Sequence, residues 1–180
     1  MRYLIVFVFA VYGFAACDKP VKGRNGVIYK TAVQYNDYIV GRQSTLMQNV
    51  HDFGKVAETN LDSATKMLNK FAARTATMIE EIKGMPSYKG DSALRDAAVS
   101  SFNFYKNVFE NDYMQIITIR KKGIDITPED AAEANRIIQK ITQDEQDFDK
   151  RFHNAQKDFA EKNNMKLTEN KIQQKIDKLQ

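Results

Sequence analysis

The residue types that most often do chemistry are scarce in this chain. There is one cysteine, Cys17, and there are two histidines, His51 and His153. Helical di-iron centres draw on Glu-x-x-His pairs from two helices. Here Gln48 stands three before His51 and Lys150 three before His153, so neither histidine completes that pair. Asp149 and His153 share a helix face, being four apart, but a metal would need ligands from other helices that the sequence does not identify. Neither histidine has an evident serine and acid for nucleophilic catalysis. Gly23 and Gly26 fall in a polar tether and Gly41 inside a helix, so no phosphate-cradling loop forms. Adjacent carboxylates such as Glu80 and Glu81 read as a solvated helix face. The expectation is a protein that is not an enzyme, with no catalytic residue, no metal and no cofactor.

Two charges stand out against that background. Arg42 and Glu145 each interrupt an apolar stripe near the middle of a predicted helix. Antiparallel packing of the first and fourth helices aligns them, and the pair is expected inside the bundle. One reading is structural, a buried polar pair that specifies register because truncating either partner strands the other charge. The other is a polar pocket for a small ligand. Phe102, Phe104, Tyr105, Phe109 and Tyr113 carry a similar choice between lining a pocket and packing a core, and their helical spacing favours the core.

The elements that position these residues follow from periodicity. Prolines occur only at 20, 86 and 128, which leaves long stretches free of breakers. A first helix is predicted over 27–56, with Ile28, Ala32, Tyr35, Ile39, Leu46, Val50 and Phe53 on its inner stripe. Gly26 through Tyr29 has strand character but is assigned to the start of that helix. A second helix runs from Asn60 to Gly84, with Gly84 as a left-handed stop. A third starts at Asp91 or Ser92, buries Leu94 through Ile119 at three- and four-residue steps, and ends at Arg120-Lys121-Lys122-Gly123. The fourth opens at Thr127-Pro128-Glu129-Asp130, a cap, a proline at the first helical position and acids on the positive helix end. Its stripe is Ala134, Ile138, Ile141, Glu145, Phe148, Phe152, Ala155 and Phe159. Short loops make the neighbours antiparallel, so the expected fold is all-α, an up-down-up-down antiparallel four-helix bundle.

The context of Cys17 gives the chain its address. Met1-Arg2 is followed by an apolar run from Tyr3 to Val11 and by Phe14-Ala15-Ala16, directly before the cysteine. The run is shorter than the ~20 residues that span a bilayer. This arrangement resembles a bacterial lipoprotein signal peptide ending in a lipobox, with Phe14 in place of the usual aliphatic residue. The resemblance implies that the Cys17 thiol receives a diacylglyceryl group and that the chain is cut before it. The other reading is an ordinary secretory peptide cut near Ala16, which leaves a free thiol. Each buried methylene of an acyl chain contributes ~0.8 kcal/mol to membrane binding, and more than one chain is needed for stable anchoring.

Shorter pieces resemble an uncharacterised family of small helical bacterial envelope or surface lipoproteins. They are Tyr38-Ile39-Val40-Gly41-Arg42-Gln43, Tyr88-Lys89-Gly90-Asp91 with Arg95-Asp96-Ala97-Ala98, and Phe104-Tyr105-Lys106. The resemblance implies a helical lipoprotein of unknown function and transfers no catalytic residue.

The organisation expected is a signal peptide over 1–16, a lipid-attachment cysteine and tether over 17–25, the bundle over 26–163 and a basic tail over 164–180. In that tail Ile172, Ile176 and Leu179 form a short helix or none. The formal charge of the whole chain is +4, and residues 150–180 hold eight Lys/Arg against four Asp/Glu. That excess is too diffuse to argue for nucleic acid. The run Asp18-Lys19-Pro20-Val21-Lys22 is not acidic, which tilts the expected location towards the periplasmic face over the cell surface. The function expected is a non-enzymatic, lipid-anchored envelope module. It meets the membrane through its acylated N-terminus and binds an envelope protein or a cell-wall component. The alternative is a carrier holding a small ligand in a cavity between the helices.

Overall fold

The computed structural model describes residues 9–13 and 19–169. Four helical rods run up, down, up and down, as the periodicity requires. Helix α1 is Ala32–Thr59 and α2 is Leu61–Lys83. The third rod is continuous but built in three pieces: α3 over Ala93–Asn107, a π turn over Val108–Asp112 and α4 over Tyr113–Arg120. Helix α5 is Pro128–Lys162. One residue, Asn60, ends α1 and caps α2, its Oδ1 accepting from Ser63 N at 2.8 Å. At the other top connection Gly123, the glycine stop expected there, takes a left-handed φ of +59°. Thr127 and Asp130 form a reciprocal capping box behind Pro128.

The core is aliphatic and aromatic along the whole bundle. Tyr35, Ile39 and Leu46 of α1, Leu68 and Ile82 of α2, and Leu94, Phe102 and Phe109 of the third rod are all buried. The π turn shifts this pattern. Tyr113 N–H bonds to Val108 O, five residues back, which adds one residue to the turn. Past it, Ile117 takes the buried position, and Ile116, expected on the stripe, is only partly buried. On α5 the buried face is likewise displaced: Ile137 is buried and Ile138 is exposed.

The largest departure lies before α1. The segment assigned to the tether and the first helical turn is a β-hairpin, β2 over Val21–Lys22 against β3 over Ile28–Tyr29. Helix α1 therefore starts at Ala32, with Thr31 as its cap, and not at Val27. The reason is local. Asn25-Gly26 is a strong hairpin turn, Gly26 sits at φ +80°, and Val27-Ile28-Tyr29 suits a strand. Tyr29 is buried, which ties the hairpin to the bundle. Gly84 is not left-handed. Its φ is −72°, and its small size serves a close approach, because a Cβ there would lie 2.8 Å from Asn25 N. At the start of α3 it is Asp91 that caps, accepting from Ala93 N at 2.8 Å.

A second small sheet joins the two ends of the described chain. Strand β1, Phe9–Gly13, pairs antiparallel with β4, Met165–Glu169, with Val11 opposite Leu167. Asn164, at φ +53°, reverses the chain between α5 and β4. The first residues of the expected basic tail are thus a strand. The rest of the tail, with Ile172, Ile176 and Leu179, lies outside the described residues.

Candidate functional site

The predicted pair of Arg42 and Glu145 does not form. Arg42 turns towards α2, where its Nε and Nη2 each lie 2.8 Å from Glu81 Oε2. Its guanidinium lies 3.4 Å above the Tyr38 ring and donates to Tyr38 O at 3.1 Å. The physical reason is register. Gln156 Nε2 donates to Asn36 Oδ1 at 2.7 Å, and Tyr35 stacks on Phe159 at 5.4 Å, which fixes α5 against α1. By that register Arg42 lies level with Lys150, roughly five residues or ~8 Å of helix away from Glu145. The Arg42–Glu81 pair is also half open, with the two side chains 22% and 40% exposed. Arg42→Ala is therefore expected to cost only ~1 kcal/mol, the worth of an accessible ion pair and a cation–π contact, as read by urea denaturation. A loss of ~3 kcal/mol would show that the charge is buried after all.

Glu145 belongs to a different constellation, between α5 and the third rod. Tyr105 Oη donates to Glu145 Oε1 at 2.5 Å. Asp149, one turn further along α5, has Oδ2 buried without a hydrogen-bond partner among the described residues. Burial raises both carboxyls, Glu145 from 4.5 to about 6 and Asp149 from 3.8 to about 8, and the Glu145 charge adds to the rise at Asp149. The Tyr105 hydroxyl is pushed well above 10, first by burial and then by the neighbouring carboxylates. Tyr113 is raised for the same reasons, burial and then Glu145. At neutral pH Asp149 is thus held as the neutral acid inside the bundle.

Between α1 and α5 runs a polar seam. Asn36 and Gln156 are both 0% exposed and bonded to each other. Gln43, seven residues on from Asn36, is 4% exposed, and the register sets it level with Asp149. Gln43 Oε1 and Gln156 Oε1 are buried with no hydrogen-bond partner among the described residues. Such a seam costs stability unless its atoms find donors. It brings together no metal ligands: no group of three His, Cys, Asp or Glu converges among the described residues. His51 is exposed on α1, and His153 is partly buried on α5.

The aromatics named from the sequence are core. Phe104 stacks on Phe148 at 4.8 Å and meets Tyr105 edge-on at 5.1 Å. Tyr113 stacks on Phe53 at 4.7 Å, and Phe109 packs against Phe71 at 6.0 Å. The groove between the β2–β3 hairpin and α2, lined by Arg24, Asn25, Thr77, Glu81 and Gly84, is open to solvent. In it Asn25 Nδ2 donates to Tyr29 Oη at 2.7 Å and to Glu81 O at 3.0 Å, so the hairpin is sewn to the end of α2.

Asn36, Gln43 and Gln156 were not singled out from the sequence, although a signal exists. Asn36–Gln43 and Asp149–Gln156 are both seven-residue spacings of polar residues, each beside an apolar stripe. Cys17 lies outside the described residues. Comparison of the chain with protein families, curated proteins and solved structures finds no match.

Proposed function

We propose that this protein is a lipid-anchored, non-enzymatic module of a bacterial cell envelope. In this reading residues 1–16 are a signal peptide and acylated Cys17 holds the mature chain to the membrane on the periplasmic face. The bundle binds an envelope protein or a cell-wall component. The observation that carries it is the position of the only cysteine, directly behind an apolar run and two alanines. The short resemblances to helical envelope lipoproteins agree with it.

Geometry supports the reading. Three residues separate Cys17 from Val21, the first residue of β2, a span of at most ~14 Å over four Cα steps. The hairpin is bonded to the lower end of α2, so the bundle stands close to its anchor. The far loop, at the start of the 35-residue α5, lies ~50 Å away and exposes Ile124 and Ile126. Apolar side chains presented there suit contact with a partner. The carrier alternative needs an enclosed cavity between the helices, and the aromatics that would line it are stacked on one another.

Cys17→Ser is expected to move the protein from the membrane fraction to the soluble fraction. Mass spectrometry of the membrane-extracted protein should show Cys17 as the N-terminus, carrying acyl chains. An unmodified Cys17 thiol in that material refutes the anchor. Crosslinking in intact cells then identifies the partner.

A further inference from the structure

The β1–β4 sheet lies where α1 and α5 meet. Strand β1 packs against α1, β4 packs against α5, and the ladder between them bridges the two helices. Helices α1 and α5 otherwise meet through side chains, by the Gln156–Asn36 hydrogen bond and the Tyr35–Phe159 stack. Strand β4 continues directly from α5 through Asn164, and Met165 packs against the core. It is therefore an integral part of the bundle's lower end. Strand β1 is not. Phe9-Ala10-Val11-Tyr12-Gly13 belongs to the segment that cleavage before Cys17 removes.

We propose that maturation uncovers a docking groove along the α1–α5 seam, and that its occupant in the mature protein is an extended, uncharged apolar segment of a partner that adds to β4 as an antiparallel strand. The proposal rests on the signal-peptide reading above and names the partner chemistry that the reading leaves open. Three observations support this occupant. Residues 9–13 already sit there, and they carry no charge. Once they leave, the edge of β4 that they paired presents free N–H and C=O groups, a ready template for another strand. The third is the place of the sheet: β1 packs against α1 and β4 against α5, the two helices that the Asn36–Gln156 bond joins. Cleavage before Cys17 then frees that edge of β4. Afterwards the groove faces the anchored end, where a membrane-proximal segment of a partner can reach it.

The test uses mature protein extracted from membranes, its N-terminus read by mass spectrometry, and amide hydrogen exchange across Met165–Glu169. Without additions these amides should exchange fast. A synthetic peptide carrying Phe9–Gly13 between solubilising lysines should slow them by ~10-fold or more, and the same peptide with Ala10→Pro and Val11→Pro should not. Slow exchange before any peptide is added overturns the proposal. So does a lack of response at saturating peptide, or equal protection by the proline peptide. Protection that grows with protein concentration alone assigns the edge to a second copy of the chain and also overturns it. An N-terminus at Met1 removes the signal-peptide reading and this proposal together, whereas an N-terminus at Cys17 with unresponsive amides removes only the proposal.

Discussion

Asp149→Asn is expected to raise the thermal midpoint at pH 8 to 9 and leave it nearly unchanged at pH 4. In the unfolded chain Asp149 ionises near 3.8, and in the bundle it holds its proton to about 8 because burial and the neighbouring Glu145 disfavour the charge. Between those two values folding takes up a proton, so stability falls as pH rises and levels off above about 8. The groups that face it set the size of the effect. Glu145 is itself raised to about 6, and Tyr105 and Tyr113 stay neutral throughout this window. A carboxyl carried from 3.8 to about 8 corresponds to an upper bound of roughly 5 to 6 kcal/mol. Sharing with Glu145 and residual solvent reduce the expected loss to ~2–3 kcal/mol, or ~5–10 °C for a chain of this size. The amide cannot ionise, so melting curves of the variant, followed by circular dichroism from pH 4 to 9, should lose that part of the slope. Parallel wild-type and variant profiles would show that Asp149 is solvated and ordinary.

The Asn36–Gln156 bond carries the second large effect. Both side chains are fully buried, and the 2.7 Å bond sets α5 against α1 together with the Tyr35–Phe159 stack. Asn36→Ala leaves the Gln156 amide without its acceptor in a closed site, and Gln156 Oε1 already lacks a partner among the described residues. The expected cost in the full chain is ~2–3 kcal/mol, from the stranded amide and a small cavity. Replacing both residues with leucine removes the two polar groups together and should recover most of it. A double-mutant cycle in urea measures the coupling, and simple additivity would contradict the bond.

Much of the bundle was legible because helix periodicity and end signals are local. The Thr127-Pro128 start, the Gly123 stop and the inner stripe of α2 from Ala64 to Ile82 all stand where spacing put them. Two local features depart from the helical reading. Asn25-Gly26 marks a hairpin in place of tether and helix start, and Gly84 serves close approach in place of a left-handed stop. The π turn had no comparable signal. It adds one residue to the third rod and exchanges Ile116 for Ile117 in the core, because tertiary packing selects the turn.

Residue periodicity specifies a four-helix bundle and the apolar faces of α1 and α2. Both follow from side-chain types repeating at the helical period. It did not determine how far each helix slides against the next. That offset is settled by contacts between residues distant in sequence, Asn36 with Gln156, Tyr35 with Phe159 and Arg42 with Glu81. A shift of roughly five residues, ~8 Å along an axis, is enough to give Arg42 a different partner, leave Glu145 with Tyr105 and hold Asp149 as a neutral acid. Periodicity repeats along a helix and looks the same after such a shift. Only the assembled core, where each buried polar group must find its partner, distinguishes one register from another.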